Sequence, residues 1–334
     1  MKSKKDPIYI FLHIQKSAGT TFGFHVRHNL RKEEYIPGYG NRFFYNIKTK
    51  KRDFCDGKNK FLNYINSLNQ EQKDKIKIVF GHQVFFGIHK LFNRPAIYFT
   101  FLRDPTKRMV SMYNFRRGKL LKLSGRSLYK TRLDKFRLER LKNTFLANNK
   151  MPSLYEWCNH VFRTDNSGLT PGMSEFLKMR GFVDGEISKN SLRKALDKFD
   201  YVGITENFDE DSLYIYHELG INKFFPNQLA SKKYYALRNY KKTKEKLSTL
   251  LKKDLFLYKC AILANRKFKK KNKNYGKIIE DMKEVKQKFN NSAYGKSSNF
   301  FFTYLSKLEK KNRFTLDLSD IAKEKLFRDF VPVL

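Results

Sequence analysis

Residues Ile8–Leu30, IYIFLHIQKSAGTTFGFHVRHNL, constrain the fold more than any other stretch of the chain. An apolar run of β-branched and aromatic residues (Ile8, Tyr9, Ile10, Phe11, Leu12) leads into a turn of small and polar residues, and a helical pattern begins around Thr20. A strand, a small-residue loop and a helix in that order make an anion site. Turn amides and the unpaired N–H groups of the first helical turn converge on one point, where the helix dipole also favours negative charge. Lys16 adds a full positive charge, Gly19 permits close approach of the backbone, and Ser17, Thr20 and Thr21 bring hydroxyl donors. The lysine precedes the glycine here, whereas G-x-x-x-x-G-K-[ST] places it beside the helix, so the loop argues against ATP hydrolysis.

Two further apolar runs read as strands of the same sheet. Ile76–Phe80 (IKIVF) ends in Gly81-His82, and Ala96–Leu102 (AIYFTFL) runs directly into Arg103-Asp104-Pro105. Asp104 as a cap and Pro105 in the first turn predict a helix entered there, with Ser111 inside it. Ligands of parallel α/β sheets gather at the carboxyl ends of the strands. His82 therefore opens onto the same crevice as the first loop, where an imidazole that titrates near neutrality can serve as a general base. His89 is a weaker candidate, and His13, inside the first strand, reads as packed.

The order Gln15-Lys16-Ser17-Ala18-Gly19-Thr20-Thr21 resembles the 5′-phosphosulfate loop of sulfotransferases that use 3′-phosphoadenylyl sulfate (PAPS). More narrowly, HIQKSAGTTFG is similar to heparan sulfate 6-O-sulfotransferases, whose usual form is HIQKTGGTTFG. GHQVF is similar to the neighbourhood of the histidine base proposed for heparan sulfate 2-O- and 6-O-sulfotransferases. R-D-P-x-x-R-x-x-S-x-[YF], from Arg103 to Tyr113, resembles the family's 3′-phosphate motif. The guanidinium fork of Arg103 suits phosphate oxygens.

The resemblance implies a P-loop-like three-layer α/β domain with a central parallel sheet over residues 1–270, followed by a basic, mostly helical extension over 271–334. It implies transfer of a sulfuryl group from PAPS to a glycan hydroxyl, with His82 as base, Lys16 on the leaving group and no metal. Arg103 and Ser111 would hold the 3′-phosphate, and Gln15 to Thr21 the 5′ end. Ser231 and Lys232, in FFPNQLASKKYYALR, would cover the nucleotide, and Asn166 would lie beside the acceptor. Ser17-Ala18 stands where these relatives have Thr-Gly, a change tolerable if Ala18 needs no positive φ.

With 70 Lys+Arg against 32 Asp+Glu, the net charge of +38 favours a polyanionic partner or an anionic cofactor, and nucleic acid, a sulfated or carboxylated glycan and an anionic membrane surface all fit charge alone; the resemblance implies an acidic or neutral polysaccharide and no nucleic acid. The block RRGKLLKLSGRSLYKTRLDKFRLERLKN, with Leu133, Phe136 and Leu141 at helical spacing, is the candidate grip for an acidic chain. Three scattered cysteines, Cys55, Cys158 and Cys260, support neither a disulfide framework nor a zinc site. No cleavable leader or membrane span is read, so the expected location is the cytoplasm. Farther on, the pattern predicts a helix over Leu192–Phe199, a strand over Tyr201–Ile204, one helix over Leu247–Phe268, and a charged linker, KKKNKNYGK. Two other readings stay open. A P-loop kinase or NTPase would share the fold but would need a Walker-type lysine and a carboxylate for Mg²⁺. A non-enzymatic polyanion-binding protein would explain the charge but not the ordered phosphate motifs.

Overall fold

The computed structural model describes residues 6–38, 42–46, 51–55, 57–124, 152–163, 172–226, 240–300 and 303. Its centre is a five-stranded, wholly parallel sheet of β1 (Ile8–Leu12), β2 (Tyr35–Pro37), β5 (Ile78–Gly81), β6 (Ala96–Leu102) and β7 (Tyr201–Ile204), ordered β2-β5-β1-β6-β7. A separate antiparallel hairpin pairs β3 (Arg42–Asn46) with β4 (Lys51–Cys55). The α/β fold with a central parallel sheet is as the sequence implies. The second strand begins two residues later than its apolar run, at Ile78.

Strands buried on both faces read as continuous apolar runs, and β1 is buried at every position. The two-residue alternation of side chains nevertheless divides each strand between two cores. Ile8, Ile10 and Leu12 of β1, with Val79, Tyr98, Leu102 and Val202, face one side. There they meet α2 (Gly57–Ser67), α6 (Met173–Met179), α7 (Lys189–Asp197) and α10 (Lys252–Lys271) through residues such as Phe61, Leu177, Leu192 and Leu257. Tyr9 and Phe11, with Phe80, Phe99, Phe101 and Tyr201, face the other. That side is covered by α1 (Gly19–Asn29), α8 (Phe208–Glu218) and α11 (Tyr275–Asn291). Further helices among the described residues include α3 (Gln70–Lys75), α4 (Pro105–Ser124), α5 (Leu154–Arg163) and α9 (Tyr240–Leu250). Among the described residues, no helix is long and apolar enough to cross a membrane.

The helix expected over Leu247–Phe268 is two helices, α9 and α10, separated at Leu251. The break follows from a change of partner. Leu247 and Leu251 pack with Met109, Met112 and Trp157 in a third cluster, whereas Leu257 and Ala261 pack on the sheet, and one straight helix cannot serve both surfaces. The charged run KKKNKNYGK is the end of α10 and the start of α11, and Tyr275, Ile279 and Met282 of α11 bury in the same cluster as Tyr9 and Phe11. Residues 125–151, which hold most of the basic block, lie outside the described residues.

One buried polar contact ties α1 to α8. His25 is 5% exposed, and its Nε2 accepts the Phe225 N–H at 2.8 Å, while Nδ1 lies 2.6 Å from the Tyr216 hydroxyl. Burial favours the neutral ring and pushes the His25 pKa down from 6.5 to about 3, outweighing the Phe225 carbonyl 3.1 Å from Nε2, which favours the charged form. Between those two values the unfolded chain binds a proton that the folded chain does not, so this contribution is present above pH 6.5 and lost as pH falls toward 3. Across that window, unfolding free energy measured by denaturant titration should rise with pH more steeply in the wild type than in His25→Gln. The difference should approach one proton, about 1.4 kcal/mol per pH unit.

Candidate functional site

In the sheet, β1 lies between β5 and β6, with Leu12 in register with Gly81 on one side and Thr100 on the other. Parallel strands leave the sheet at the same edge. The loop after β1, the Gly81-His82 turn after β5 and the Arg103-Asp104 turn after β6 therefore emerge side by side. Thr100 binds β6 to the end of β1, its hydroxyl donating to the Leu12 carbonyl at 2.8 Å.

The loop itself is strained. Lys16 and Ala18 both adopt left-handed backbone, with φ of 67° and 58°. Ala18 thus does require a positive φ, contrary to the condition under which alanine replaces glycine at no cost; left-handed backbone costs an L-residue roughly 1–2 kcal/mol. Ala18 is also the N-cap of α1, and it supplies no side-chain acceptor to the helix's first turn, which contains no acidic residue. Those N–H groups are the positive end of the helix dipole, and nothing from a cap neutralises it. Ser17 is fully buried and its Oγ has no hydrogen-bond partner among the described residues, an arrangement that costs about 1–3 kcal/mol unless an acceptor arrives. Strain, an uncapped helix start and an orphaned hydroxyl, all beside Lys16, fit an anionic group seated at the loop.

Gly19 has a use the sequence does not reveal. A Cβ there would collide with the imidazole of His13, which is itself 5% exposed. The His13 ring stacks on that of His82, with centroids 4.3 Å apart, and the His13 carbonyl accepts a hydrogen bond from His82 Nδ1 at 2.6 Å. A carbonyl can only accept, so Nδ1 carries a proton, and in the neutral ring the basic lone pair is on Nε2. Gly81 makes this turn possible with φ of +143°, where any Cβ would strike the carbonyl of Gly38. His89 is engaged elsewhere, with Nδ1 2.9 Å from the Tyr98 hydroxyl.

Arg103 is half-buried at the end of β6, and its Nη1 donates to the Lys16 carbonyl at 3.1 Å, joining the third strand end to the loop. Burial lowers the Arg103 pKa, and the nearby Glu206 and Asp104 carboxylates oppose that shift. Asp104 caps α4, its Oδ1 accepting the Lys107 N–H at 2.8 Å. Ser111 lies on the same helix and is 3% exposed. Arg108, the second arginine of the motif, is buried under the site, 4.0 Å from Asp254. Asp254 also accepts the Met173 and Ser174 N–H groups, so the pair links α4, α6 and α10. Gln15 and Thr20 are half-buried and Thr21 is buried. Asn166, Ser231 and Lys232 lie outside the described residues.

Sequence reasoning missed two groups. Glu206 follows β7, where its carboxylate accepts the Asp104 N–H at 3.2 Å and the Tyr258 hydroxyl at 2.8 Å, bracing the Arg103 turn. Its place just beyond a parallel strand was the available signal. Phe115, on α4, sits with its ring 4.4 Å from Lys16 Nζ; its spacing of four from Ser111 was the signal there.

A five-stranded parallel sheet flanked by helices, with a lysine and an arginine at its central strand ends, defines a P-loop-like α/β protein. The chain belongs to the Sulfotransferase family, whose model matches residues 3–258. Members transfer sulfate and generally use PAPS as donor. A search of curated proteins finds no match.

Adjacent substitutions in the loop should act in opposite directions. Gly19→Ala forces the His13 ring to move and should lower Tm by several degrees, whereas Ala18→Gly relieves left-handed strain and should leave Tm equal or higher by scanning calorimetry.

Proposed function

We propose that the protein transfers the sulfuryl group of PAPS to a hydroxyl of a glycan, in the manner of the heparan sulfate 6-O-sulfotransferases that its loop resembles. The observation that carries this reading is the joining of three strand ends: Arg103 donates to the backbone of Lys16, and His82 to the backbone of His13, at either side of β1. When bound, PAPS supplies an activated sulfuryl group on a phosphate that is ready to leave.

His82 Nε2 takes the proton of the acceptor hydroxyl as its oxygen attacks sulfur in line. The new S–O bond forms as the S–O bond to phosphate breaks, and the bisphosphate (PAP) departs. Lys16 and the first-turn N–H groups of α1 stabilise the charge that grows on the bridging oxygen, an effect strongest where donors are fixed before the reaction. Arg103 and Ser111 hold the 3′-phosphate, while Gln15, Ser17, Ala18, Gly19, Thr20 and Thr21 form the 5′ cradle. By the same resemblance, Ser231 and Lys232 are assigned to the nucleotide and Asn166 to the acceptor. The net charge of +38 favours an acidic polysaccharide, with a neutral one as the second choice.

The test is a radiolabelled PAPS assay against a panel of glycans with disaccharide mapping of the product. Label in a glycan supports the reading, and ATP binding without PAP binding would replace it with a kinase or NTPase. Lys16→Ala and His82→Ala should each lower turnover at least about a hundredfold. His82→Ala should keep its PAP affinity, and wild-type turnover in that folded variant removes it as the base. Arg103→Ala should weaken PAP about tenfold to a hundredfold by calorimetry, the loss expected for a charge-assisted hydrogen bond.

A further inference from the structure

Lys16 is held at three points, and the third has no counterpart in the phosphate motifs. Its backbone is fixed in the left-handed region with φ of 67°, its carbonyl accepts from Arg103 at 3.1 Å, and its ammonium lies 4.4 Å from the centroid of the Phe115 ring. Phe115 is 37% exposed and belongs to none of the core clusters formed by the described residues. Met109, Met112 and Tyr113 of the same helix are buried in such a cluster. Phe115 instead presents a large aromatic ring at the surface beside the loop. It stands one helical turn beyond Ser111, on the same side of α4.

We propose that Phe115 is a positioning residue for Lys16, its ring face holding the ammonium at the mouth of the anion site. A ring suits this task better than a carboxylate. Both attract a cation, but a carboxylate would cancel the charge that must act on the donor, whereas the ring quadrupole holds the ammonium without neutralising it. The long lysine stem is otherwise rich in rotamers, and fixing it before the donor arrives removes an ordering cost from the transition state. Because Phe115 shares α4 with Ser111, and Arg103 lies just before that helix, whatever orders the start of α4 also orders Lys16.

The effect on turnover rests on the sulfuryl-transfer reading, so the test has one arm that does not. After reductive ¹³C-dimethylation of the lysines, the Lys16 resonance, assigned by its loss in Lys16→Arg, should be shifted upfield by the ring current of Phe115. In Phe115→Leu it should move to the bulk lysine position. An unshifted Lys16 signal in the wild type overturns the proposal whatever the protein catalyses. In the kinetic arm, Phe115→Leu should lower kcat about tenfold while the KM for PAPS and the affinity for PAP stay within about twofold, and kcat should recover in Phe115→Tyr. Unchanged kcat in Phe115→Leu, or an equal loss in Phe115→Tyr, also overturns it. If the wild type transfers no sulfate although Lys16 is ring-shifted, the sulfuryl-transfer reading fails and the contact stands.

Discussion

Leu12 pairs with Gly81 on one side of β1 and with Thr100 on the other, and the geometry of the site follows from that register. A parallel pair displaced by two residues would carry His82 or Arg103 out of reach of the first loop. In the observed register each reaches a backbone carbonyl of that loop's segment, His82 at His13 and Arg103 at Lys16. Backbone acceptors are inherent to the chain, so the sheet itself orients His82 and Arg103, and the stacked His13 ring and the Glu206 carboxylate reinforce it. Two glycines make the arrangement sterically possible, Gly81 by turning with positive φ and Gly19 by leaving room for His13.

The loop is less stable than it could be, and its instabilities have one sign. Left-handed Lys16 and Ala18, an α1 start without a side-chain cap and the orphaned Ser17 hydroxyl each raise the energy of the protein alone. Each except the left-handed strain is of the kind that an anion at the same spot would relieve. The surrounding order is what sustains this. Thr100 fastens β6 to β1, Glu206 braces the Arg103 turn through Asp104 and Tyr258, and the buried Arg108–Asp254 pair joins α4 to α6 and α10. Burial of Arg108 and Asp254 makes that pair a means of fixing geometry more than a source of stability.

Much of this was legible in the residues because parallel strands and anion loops have strong local signatures. β6 matches its apolar run from Ala96 to Leu102, β7 runs from Tyr201 to Ile204 as expected, and Asp104 caps α4. What the sequence hid depends on tertiary partners. Leu247 through Phe268 carry one helical periodicity, yet Leu251 and Leu257 serve different cores, so the helix divides. The charged run after Phe268 looks like a linker because lysines dominate it, while Tyr275 and the apolar positions that follow carry the packing. Alanine ordinarily avoids left-handed backbone, so only the glycine that the resembling loops carry at the position of Ala18 pointed to its positive φ. The contact of Phe115 with Lys16 joins residues far apart in the chain; the spacing of four from Ser111 puts Phe115 on the right side of α4, but its partner across the loop is set by the tertiary fold.

The central claim is that three strand ends form a single site for a nucleotide carrying phosphates at both its 3′ and 5′ positions. A crystal structure with PAP tests it most directly. The account predicts the 5′-phosphate within hydrogen-bond distance of the first-turn amides of α1 and the Lys16 ammonium, with the 3′-phosphate on Arg103 and Ser111. PAP bound away from the carboxyl ends of β1 and β6, or bound there in the reverse orientation, would contradict it.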